Sequence, residues 1–539
     1  MIYPEPRLLP AGDAAILIEF ADEIDDAVND QVHALAQFLR AQNHLPLLDL
    51  IPGYSSLLVC YDSARTDYST LSDYVRSTLQ SPQAIAPAEP RLIEIPTAYG
   101  GENGPDLTFI VEHSGLSESQ VISLHSSVIY RVYFVGFAPG FAYLGSVPDP
   151  IAMPRLETPR TRVPAGSIGI AGKQTGVYPM ESPGGWRLIG RTALNLFDHR
   201  NDPPTLLRPG DRVRFVPVSS VRFIASPAQF IAHSKLSMLS LIDPGILTTI
   251  QDAGRWGYQA YGIPVSGAMD AFAFASANRL VGNASNAAVI EIRSPIILQA
   301  QERQVIALTG VDATLLVDRR VMPTWASVFV RAGSIIEINP KRVGGWMYLA
   351  IRGGIAVPSV LGSRSTYVRG GFGGYEGRAL QAGDTLSIGE SKGDIVSFAG
   401  RIESDEVRAF ANRRSPIRII LGMHADWFSS DALSILTSGD FVLTDVADRM
   451  GYRLSGPRLT RARSGELISC GVPLGAIQVP SDGQPIVLMA DHQTTGGYPI
   501  IATVIREDMP ILAQRAPGER VRFELIQVSQ VQENFWTRI

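Results

Sequence analysis

The segment Pro209-Gly-Asp-Arg-Val-Arg-Phe215 recurs near the end of the chain as Pro517-Gly-Glu-Arg-Val-Arg-Phe523. Two looser copies lie between them, Ala332-Gly-Ser-Ile-Ile-Glu-Ile338 and Ala382-Gly-Asp-Thr-Leu-Ser-Ile388. In each copy a glycine permits an unusual backbone turn, and the residues after it alternate as in a strand with one buried face. The repetition predicts related β-barrel units in the two halves of the chain.

A second pair of similar segments supports this interpretation. Gln174-Thr-Gly-Val-Tyr-Pro179 and Thr494-Thr-Gly-Gly-Tyr-Pro499 each lie upstream of their own Pro-Gly-x-Arg-Val-Arg-Phe strand. Chance alone produces four-residue turns, but the shared order of two motifs is harder to obtain by chance. We therefore expect the first half to end in one barrel and the second half to contain related barrels.

The N-terminal region has a different pattern. Apolar spacing predicts strands at 14–20, 47–51 and 55–61, helices at 22–41 and 69–80, and an extended stretch at 92–96. The order is close to βαββαβ, the ferredoxin-like split motif. The predicted class is mainly β with α+β parts. It comprises a ferredoxin-like domain at 1–88, a barrel at 89–222 and a two-lobed barrel region at 239–539, the lobes being 239–400 and 401–539.

Composition excludes several classes of protein. A net charge of −5 over 539 residues disfavours a general nucleic-acid binder. No apolar run reaches the length that a membrane helix needs, the N-terminus lacks a signal-peptide pattern, and the two cysteines form no metal or disulfide framework. We expect a soluble cytoplasmic protein that binds neither nucleic acid nor membranes.

Common catalytic and cofactor motifs are missing from the sequence. It contains no Walker A loop, no HExxH, no Cys/His zinc spacing and no GxSxG elbow. It also lacks a Met-Lys-Met tripeptide, so we expect no covalently attached biotin on this chain, and we predict no metal site. What remains is three loops rich in glycine, proline and aromatic residues, at 133–145, 154–166 and 182–190. They suit either a ligand site or rigid barrel turns with aromatic plugs.

The first half resembles the B-type subunit of 5-oxoprolinase, also called allophanate hydrolase subunit 1. The resemblance is carried by GFAPGFAYLG, PRLETPRTRVPAGSIGIAG, TGVYP and SPGGWRLIGRT, which occupy 136–145, 154–172, 175–179 and 182–192. That family also contains a sporulation-kinase inhibitor.

Six further motifs occupy 245–258, 262–270, 362–367, 370–378, 448–453 and 491–499 in the second half. By these motifs the second half is similar to the C-type subunit of 5-oxoprolinase, or allophanate hydrolase subunit 2, a family that also contains the antagonist of that inhibitor. Both halves also resemble the carboxyltransferase-type domains of urea carboxylase. The resemblance implies a fusion of 5-oxoprolinase subunits B and C and cyclophilin-like barrels.

The resemblance implies ATP-dependent hydrolytic opening of 5-oxo-L-proline to L-glutamate, by an enzyme that is incomplete without a separate A-type subunit. ATP and Mg²⁺ are then expected, with a small amide as substrate. One alternative is a biotin-dependent carboxyltransferase acting on urea or a related small amide, with a biotin carrier in trans. Another is a non-enzymatic regulator of a histidine kinase. The sequence leaves open the oligomeric state, the nucleotide site and the division of chemistry between subunits.

Three residues are candidates for catalysis. His125 suits acid–base work at neutral pH, although a plain helix-end histidine fits as well. Lys173 lies in a loop that the repeat places near a barrel mouth. Asp252, with Arg255, forms either a ligand pair or a salt bridge that fixes a turn. The predicted substrate- or nucleotide-binding residues are Gly136, Phe137, Pro139, Gly140, Phe141, Arg155, Arg160, Gly166, Tyr178, Arg255, Arg364, Arg369, Arg449, Arg453, His492, Thr494, Thr495 and Tyr498.

Overall fold

The structure is a computed structural model of the chain, and it describes residues 1–80, 90–223, 238–391, 393–463, 465 and 467–531. Strands predominate, as the sequence predicts. None of the helices in these ranges combines the length and the apolar character needed to cross a bilayer.

The N-terminal region forms a four-stranded antiparallel sheet with two helices. Its elements are β1 Ile2–Pro10, β2 Ala15–Ala21, α1 Asp26–Arg40, β3 Leu47–Pro52, β4 Ser56–Tyr61 and α2 Tyr68–Gln80. The strand order is β1-β2-β4-β3. The predicted βαββαβ order is therefore wrong. The fourth strand is the N-terminal one, which sequence reasoning missed, and the 92–96 stretch belongs to the next unit.

Strand β4 shows why this sheet is apolar on both faces. Leu57 and Val59 pack in the cluster that includes the helices. Leu58 and Cys60 point the other way, into a cluster formed with the last barrel of the chain. Successive side chains of a strand alternate between faces, so a continuous apolar run is what a sheet covered on both sides needs.

The next unit is a closed barrel. Its elements are β5 Leu92–Tyr99, α3 Leu107–Ser114, α4 Glu118–Ser127, β6 Tyr130–Val135, β7 Ala142–Gly145, β8 Arg160–Val163, β9 Ser167–Ala171, β10 Gln174–Val177, β11 Ser182–Gly184, β12 Arg187–Arg191 and β13 Arg212–Pro217. The barrel order is β10-β7-β6-β13-β5-β12-β9, with β8 and β11 as a separate ribbon. Helix α4 begins with a capping box of Ser117 and Gln120.

The first lobe of the second module consists of two sheets and a helix. Its elements are β14 Met238–Asp243, β15 Thr249–Gln251, α5 Ala271–Val281, β16 Val289–Ile292, β17 Ile296–Ala300, β18 Gln304–Gly310, β19 Ala313–Val317, β20 Arg320–Met322, β21 Ser327–Val330, β22 Ile335–Pro340, β23 Met347–Ile351 and β24 Thr385–Ser387. The sheet orders are β20-β19-β22-β17-β14-β24 and β15-β16-β23-β18-β21. Buried side chains of both sheets form one core.

The second lobe forms a nearly closed eight-stranded sheet. Its elements are α6 Asp405–Ala411, β25 Ile417–Leu421, α7 Ser430–Ser438, β26 Phe441–Leu443, β27 Gly451–Ser455, β28 Cys470–Gly471, β29 Ala476–Gln478, β30 Ile486–Leu488, β31 Thr495–Gly496, β32 Ile500–Val504, α8 Met509–Ala513, β33 Arg520–Val521 and β34 Phe523–Leu525. The order is β33-β26-β27-β30-β29-β32-β25-β34. The two edge strands, β33 and β34, are separated by one residue of the chain, so the two edges of the sheet lie next to each other.

The four repeated turns share one backbone feature. Gly210, Gly333, Gly383 and Gly518 have φ values of 87°, 83°, 87° and 84°, a region that glycine occupies without strain. They precede β13, β22, β24 and β33. In both barrel units the strand at the end pairs in parallel with the first one, β13 with β5 and β34 with β25. The predicted fold class is confirmed.

The N-terminal domain contacts both of the larger modules. His33 Nε2 lies 2.7 Å from the carbonyl oxygen of Tyr133 in the first barrel. On the other side, Oδ2 of Asp49 accepts hydrogen bonds from the backbone N–H groups of Gly257 and Gln259, at 2.9 and 3.1 Å. Through these contacts the N-terminal domain fixes the position of the first barrel relative to the second module.

Candidate functional site

A cleft of about 860 Å³ lies between the first barrel and the second-lobe sheet. One wall comes from residues 137–186, which include parts of the three glycine-rich loops. The opposite wall comes from residues 446–498, and Arg369 reaches the cleft from the first lobe. We call this space the intermodule cleft. Segments that are far apart in sequence therefore meet in one concave site.

Aromatic side chains form the wall on the first barrel. The Phe141 ring makes T-shaped contacts with Tyr178 and Trp186, with ring centroids 5.2 and 5.4 Å apart, and Tyr143 lies in the same cluster. Edge-to-face packing fixes such rings relative to one another. Gly184 is needed here because a Cβ at that position would lie 2.4 Å from the Tyr178 hydroxyl. The wall is a rigid apolar surface suited to a planar ring.

One hydrogen bond joins the two walls. The backbone N–H of Phe137 donates to Oγ1 of Thr495 at 3.0 Å. Phe137 adopts a φ of 64°, which is rare for a residue with a side chain. A Cβ at Gly136 would lie 2.1 Å from the same Thr495 oxygen. The two repeated loops approach each other this closely only because position 136 is a glycine.

Four guanidinium groups line the cleft, those of Arg155, Arg369, Arg453 and Arg461. Arg155 and Arg453 are exposed, and their guanidinium groups make no hydrogen bond or ion pair with the described residues. Among the described residues of the lining, the one carboxylate is that of Asp448, and it accepts two backbone N–H groups from its own turn. The cleft is therefore cationic, and arginine can bind a carboxylate or phosphate with two parallel hydrogen bonds.

Gln478 supplies a donor that sequence reasoning missed. Its Oε1 accepts from Gln493 Nε2 at 3.3 Å, which leaves Nε2 buried and without a partner in the described structure. Both glutamines line the cleft. An unpaired buried N–H group is costly unless a ligand or water accepts from it. The sequence carries no signal for this role, because Gln478 is an ordinary residue at the end of a short strand.

The structure brings together eight of the predicted binding residues in the intermodule cleft: Phe137, Phe141, Arg155, Tyr178, Arg369, Arg453, Thr495 and Tyr498. The remaining predicted residues are not part of its lining.

His125 is inside the first barrel, fully buried. Tyr99 Oη and Thr175 Oγ1 lie 2.8 and 3.0 Å from its two ring nitrogens. Because Thr175 donates its own proton to the Gly169 carbonyl, His125 Nε2 is the donor to Thr175 and Nδ1 accepts from Tyr99. Burial lowers the pKa of His125 to about 3. This neutral, fully satisfied ring has a structural role and does not face the cleft.

Two of the predicted cations form ion pairs away from the cleft. Lys173 is exposed, and its Nζ lies 2.7 Å from a carboxylate oxygen of Asp149. Arg160 Nη2 donates to Asp106 Oδ1 at 2.8 Å, and the other oxygen of Asp106 accepts from the backbone N–H of Leu188. Arg160 therefore ties a loop to the barrel wall, where it also donates to the Trp186 carbonyl at 3.4 Å, and neither Lys173 nor Arg160 is itself part of the cleft lining.

Asp252 fixes a turn of the second module. Its carboxylate accepts from the hydroxyls of Ser363 and Ser365, at 2.6 and 2.5 Å, and from the backbone N–H groups of Gly254 and Arg364. Both carboxylate oxygens are engaged, Oδ1 by three of these donors and Oδ2 by one, so Asp252 is held by its own fold. The Arg364 side chain bonds instead to the carbonyl of Val357.

Arg255 is buried beneath the first lobe and donates to the carbonyls of Val360 and Ser365. Desolvation lowers its pKa to about 10. Arg449 is also buried, in ion pairs with Glu291 and Asp491. Both guanidinium groups hold parts of the second module together and do not face the cleft.

The remaining predicted residues belong to loop contacts. The Gly140 N–H donates to the Tyr261 carbonyl at 3.0 Å, so the turn that contains Pro139 and Gly140 joins the two modules. Gly166 packs against the Thr192 carbonyl. His492 and Thr494 are buried behind the cleft wall, and burial lowers the pKa of His492.

Comparison with known proteins matches the two halves of the chain to two related family models. Residues 6–207 match the family model described as "Carboxyltransferase domain, subdomain C and D", and residues 261–525 match "Carboxyltransferase domain, subdomain A and B". The crystal structure of TTHA0988 superposes with a TM-score of 0.84 at 34% identity, covering 95% of this chain and 100% of that chain.

Three further relatives each match about one half of the chain. The B-type subunit of 5-oxoprolinase from Escherichia coli O157:H7 is 46% identical over 206 residues, which is 38% of this chain and 93% of that protein. The C-type subunit from Escherichia coli K12 is 38% identical over 309 residues, 56% of this chain and 97% of that protein. Urea amidolyase from Saccharomyces cerevisiae is 34% identical over 297 residues, 52% of this chain but 16% of its own length.

Paired barrel modules that enclose a common cleft define a protein built from carboxyltransferase-type domains. The chain belongs to the carboxyltransferase-domain family, and it unites in one polypeptide two modules that are similar to 5-oxoprolinase subunits B and C. The predicted resemblance is confirmed.

Proposed function

We propose that this chain acts in the cytoplasm with a separate A-type subunit to open 5-oxo-L-proline to L-glutamate at the expense of ATP. The names of its B-type and C-type relatives support a role as a component of that enzyme. The observation that carries the proposal is the intermodule cleft, where an aromatic wall faces unpaired arginines and the free amide of Gln478.

The features of this cleft match those of the substrate. 5-Oxoproline is a five-membered lactam with one carboxylate. In the proposed complex its ring lies on the Phe141 and Tyr178 wall, and Arg155 or Arg453 binds its carboxylate. Gln478 Nε2 donates to the lactam oxygen, where negative charge develops as the carbonyl is attacked.

The proposed reaction needs ATP because the lactam is a stable amide. Transfer of the γ-phosphoryl group to the lactam oxygen releases ADP and makes the ring carbon open to attack. Addition of one water breaks the ring C–N bond and leaves an acyl phosphate, and a second water releases phosphate and glutamate. Cationic side chains stabilise the phosphoryl oxygens in such steps. Mg²⁺ is expected to arrive with the nucleotide phosphates as part of the co-substrate.

The test is reconstitution. This chain is purified with and without its own A-type partner, and release of glutamate and ADP is followed with 5-oxoproline and MgATP. We expect glutamate and ADP in equal amounts from the complete mixture and neither product from the chain alone. No ATP-linked glutamate from the complete mixture would rule the proposal out.

The second candidate function is transfer of a carboxyl group from carboxybiotin to a small amide. The family model description and the urea amidolyase relatives favour it. It requires a biotinylated carrier supplied by another chain. Avidin discriminates the two functions: it blocks carboxyl transfer by sequestering biotin, and it leaves 5-oxoproline opening unchanged. Urea-dependent turnover that avidin abolishes would establish this second function.

A further inference from the structure

A second cavity, of about 330 Å³, lies where the N-terminal sheet meets both lobes of the second module. Its wall is drawn from three stretches of sequence, within 11–61, 252–285 and 473–510. It shares no lining residue with the intermodule cleft. We call it the interlobe cavity.

Five side chains in the wall of this cavity have a buried oxygen without a hydrogen-bond partner in the described structure. These oxygens belong to Asp13, Tyr61, Gln259, Ser266 and Thr503, and each of the five residues is buried, with Asp13 the most exposed at 8%. Buried polar atoms in folded proteins are nearly always paired. Five unpaired oxygens around one space therefore indicate a wall that takes a polar partner.

Most of the remaining wall is apolar. Leu48, Trp256, Met269, Phe274 and Met489 are among its residues. Ligand cavities typically combine an apolar lining with a few polar groups that fix orientation. A molecule bound here would bury an apolar body and present hydrogen-bonding groups to the five oxygens.

The charged residues in the cavity wall are Asp13, Asp252 and Arg506. Asp13 Oδ1 accepts from the backbone N–H of Arg506 at 2.9 Å, and the Arg506 side chain lies in the same wall. The Asp252 carboxylate is occupied by its own turn, as described above. His492 is uncharged because burial lowers its pKa. Apart from Asp252, whose carboxylate is held by its own turn, the wall has one acid and one base, which favours an uncharged ligand over an ion.

The geometry points to the interlobe cavity as a binding site for a small uncharged organic molecule with an apolar body and at least one N–H or O–H group. Gln259 Oε1 can only accept a hydrogen bond, so the molecule must supply a donor. A cavity of about 150 Å³ holds benzene. By that comparison the interlobe cavity accommodates a molecule of roughly a dozen non-hydrogen atoms.

Four probes test this assignment on the full-length chain by isothermal calorimetry. Benzamide has the apolar ring and N–H donors. N,N-Dimethylbenzamide lacks the donors, ethylbenzene lacks polar groups, and benzoate is charged. We expect saturable binding of benzamide and at least roughly tenfold weaker binding of N,N-dimethylbenzamide and ethylbenzene, the size of one lost hydrogen bond. Benzoate can also bind the cationic intermodule cleft, so its binding is compared in a chain that carries Arg155→Ala, where we expect it to be weak as well. Absence of saturable binding by benzamide, or equal binding of all four probes, would overturn the assignment.

Two variants locate the binding. Thr503→Val and Gln259→Met keep the side-chain volume and remove a polar oxygen, so the fold is retained and thermal unfolding verifies it. Either folded variant should bind benzamide roughly tenfold more weakly. Arg155→Ala, in the intermodule cleft, is the control and should bind benzamide like the unaltered chain. Loss of binding in Arg155→Ala with retention in both cavity variants would place benzamide in the cleft and contradict the inference.

Discussion

Arg449 and Asp491 face each other in a bidentate pair, with Nε to Oδ2 at 2.8 Å and Nη2 to Oδ1 at 3.0 Å. The same guanidinium pairs with Glu291, which also accepts from the Met269 N–H and the Tyr348 hydroxyl. The network joins the first lobe to the second-lobe sheet and lies behind the cleft wall.

Removing the cation from this network should destabilise the second module strongly. Arg449→Met leaves two buried carboxylates without their counter-charge, and we expect a loss of about 3–5 kcal/mol in the free energy of unfolding. Urea denaturation measures it. The control is Lys341→Met, which breaks an exposed pair with Asp312 and should cost no more than about 1 kcal/mol. Equal losses in the two variants would contradict the role assigned to burial.

The contact between the glycine-rich loops makes a steric prediction. In Gly136→Ala the new methyl group meets three atoms of the Thr495 side chain within 2.9 Å, and we expect a loss of roughly 1–3 kcal/mol. Gly185→Ala is the matched control, because its methyl group finds nothing closer than 3.6 Å. Adding Thr495→Ala to the first variant should recover part of the loss. No recovery would place the strain elsewhere.

A cleft arginine should affect substrate binding more than stability. In the reconstituted enzyme, Arg155→Ala removes a charged partner of the substrate carboxylate, and KM for 5-oxoproline should rise roughly 10- to 100-fold. Arg155→Lys should restore part of the affinity. Arg320→Ala, on an exposed hairpin strand of the first lobe, is the control. An unchanged KM in Arg155→Ala would exclude this arginine from the substrate site.

The buried His125 makes a prediction about pH. The folded pKa is about 3 against an ordinary 6.5, so below pH 6.5 the unfolded chain binds a proton that the folded chain does not. The contribution of this group to stability is fully present above pH 6.5 and is lost as the pH falls.

The measurement compares His125→Gln with the unaltered chain. As the pH falls from 6.5 to 4, the variant should become more stable relative to the unaltered chain. The difference between their free energies of unfolding should change by at most about 1.4 kcal/mol per pH unit. The same substitution at the exposed His44 is the control. A gain of equal size at both positions would contradict the explanation from burial.

Features that depend on a few neighbouring residues were predictable from the sequence. The turn glycines illustrate this: the repeated pattern predicted an unusual backbone at Gly210 and Gly518, and both adopt positive φ. Tyr178 and Tyr498 occupy matching places in the two repeated loops, and both line the cleft. Local pattern and repetition were enough to indicate these loops.

Features that depend on distant partners were not predictable. Arg449 looks like a free cation in its glycine-rich turn, but its carboxylates lie 42 and 158 positions away in the sequence. Asp252 looks like a ligand, but its serine partners lie more than a hundred positions further on. Whether an arginine binds a ligand or holds the fold together is decided by such partners.

The hydrogen bonds from Gly257 and Gln259 to Asp49 have a consequence for assembly. Asp49 lies in the segment 6–207, and the two N–H groups lie in the second module, just ahead of the segment 261–525. Where these modules are separate proteins, their meeting is bimolecular and weakens on dilution. Here it is an intramolecular event, for which short tethers give effective concentrations in the millimolar range. The two halves of the cleft should consequently stay paired even when the protein is scarce.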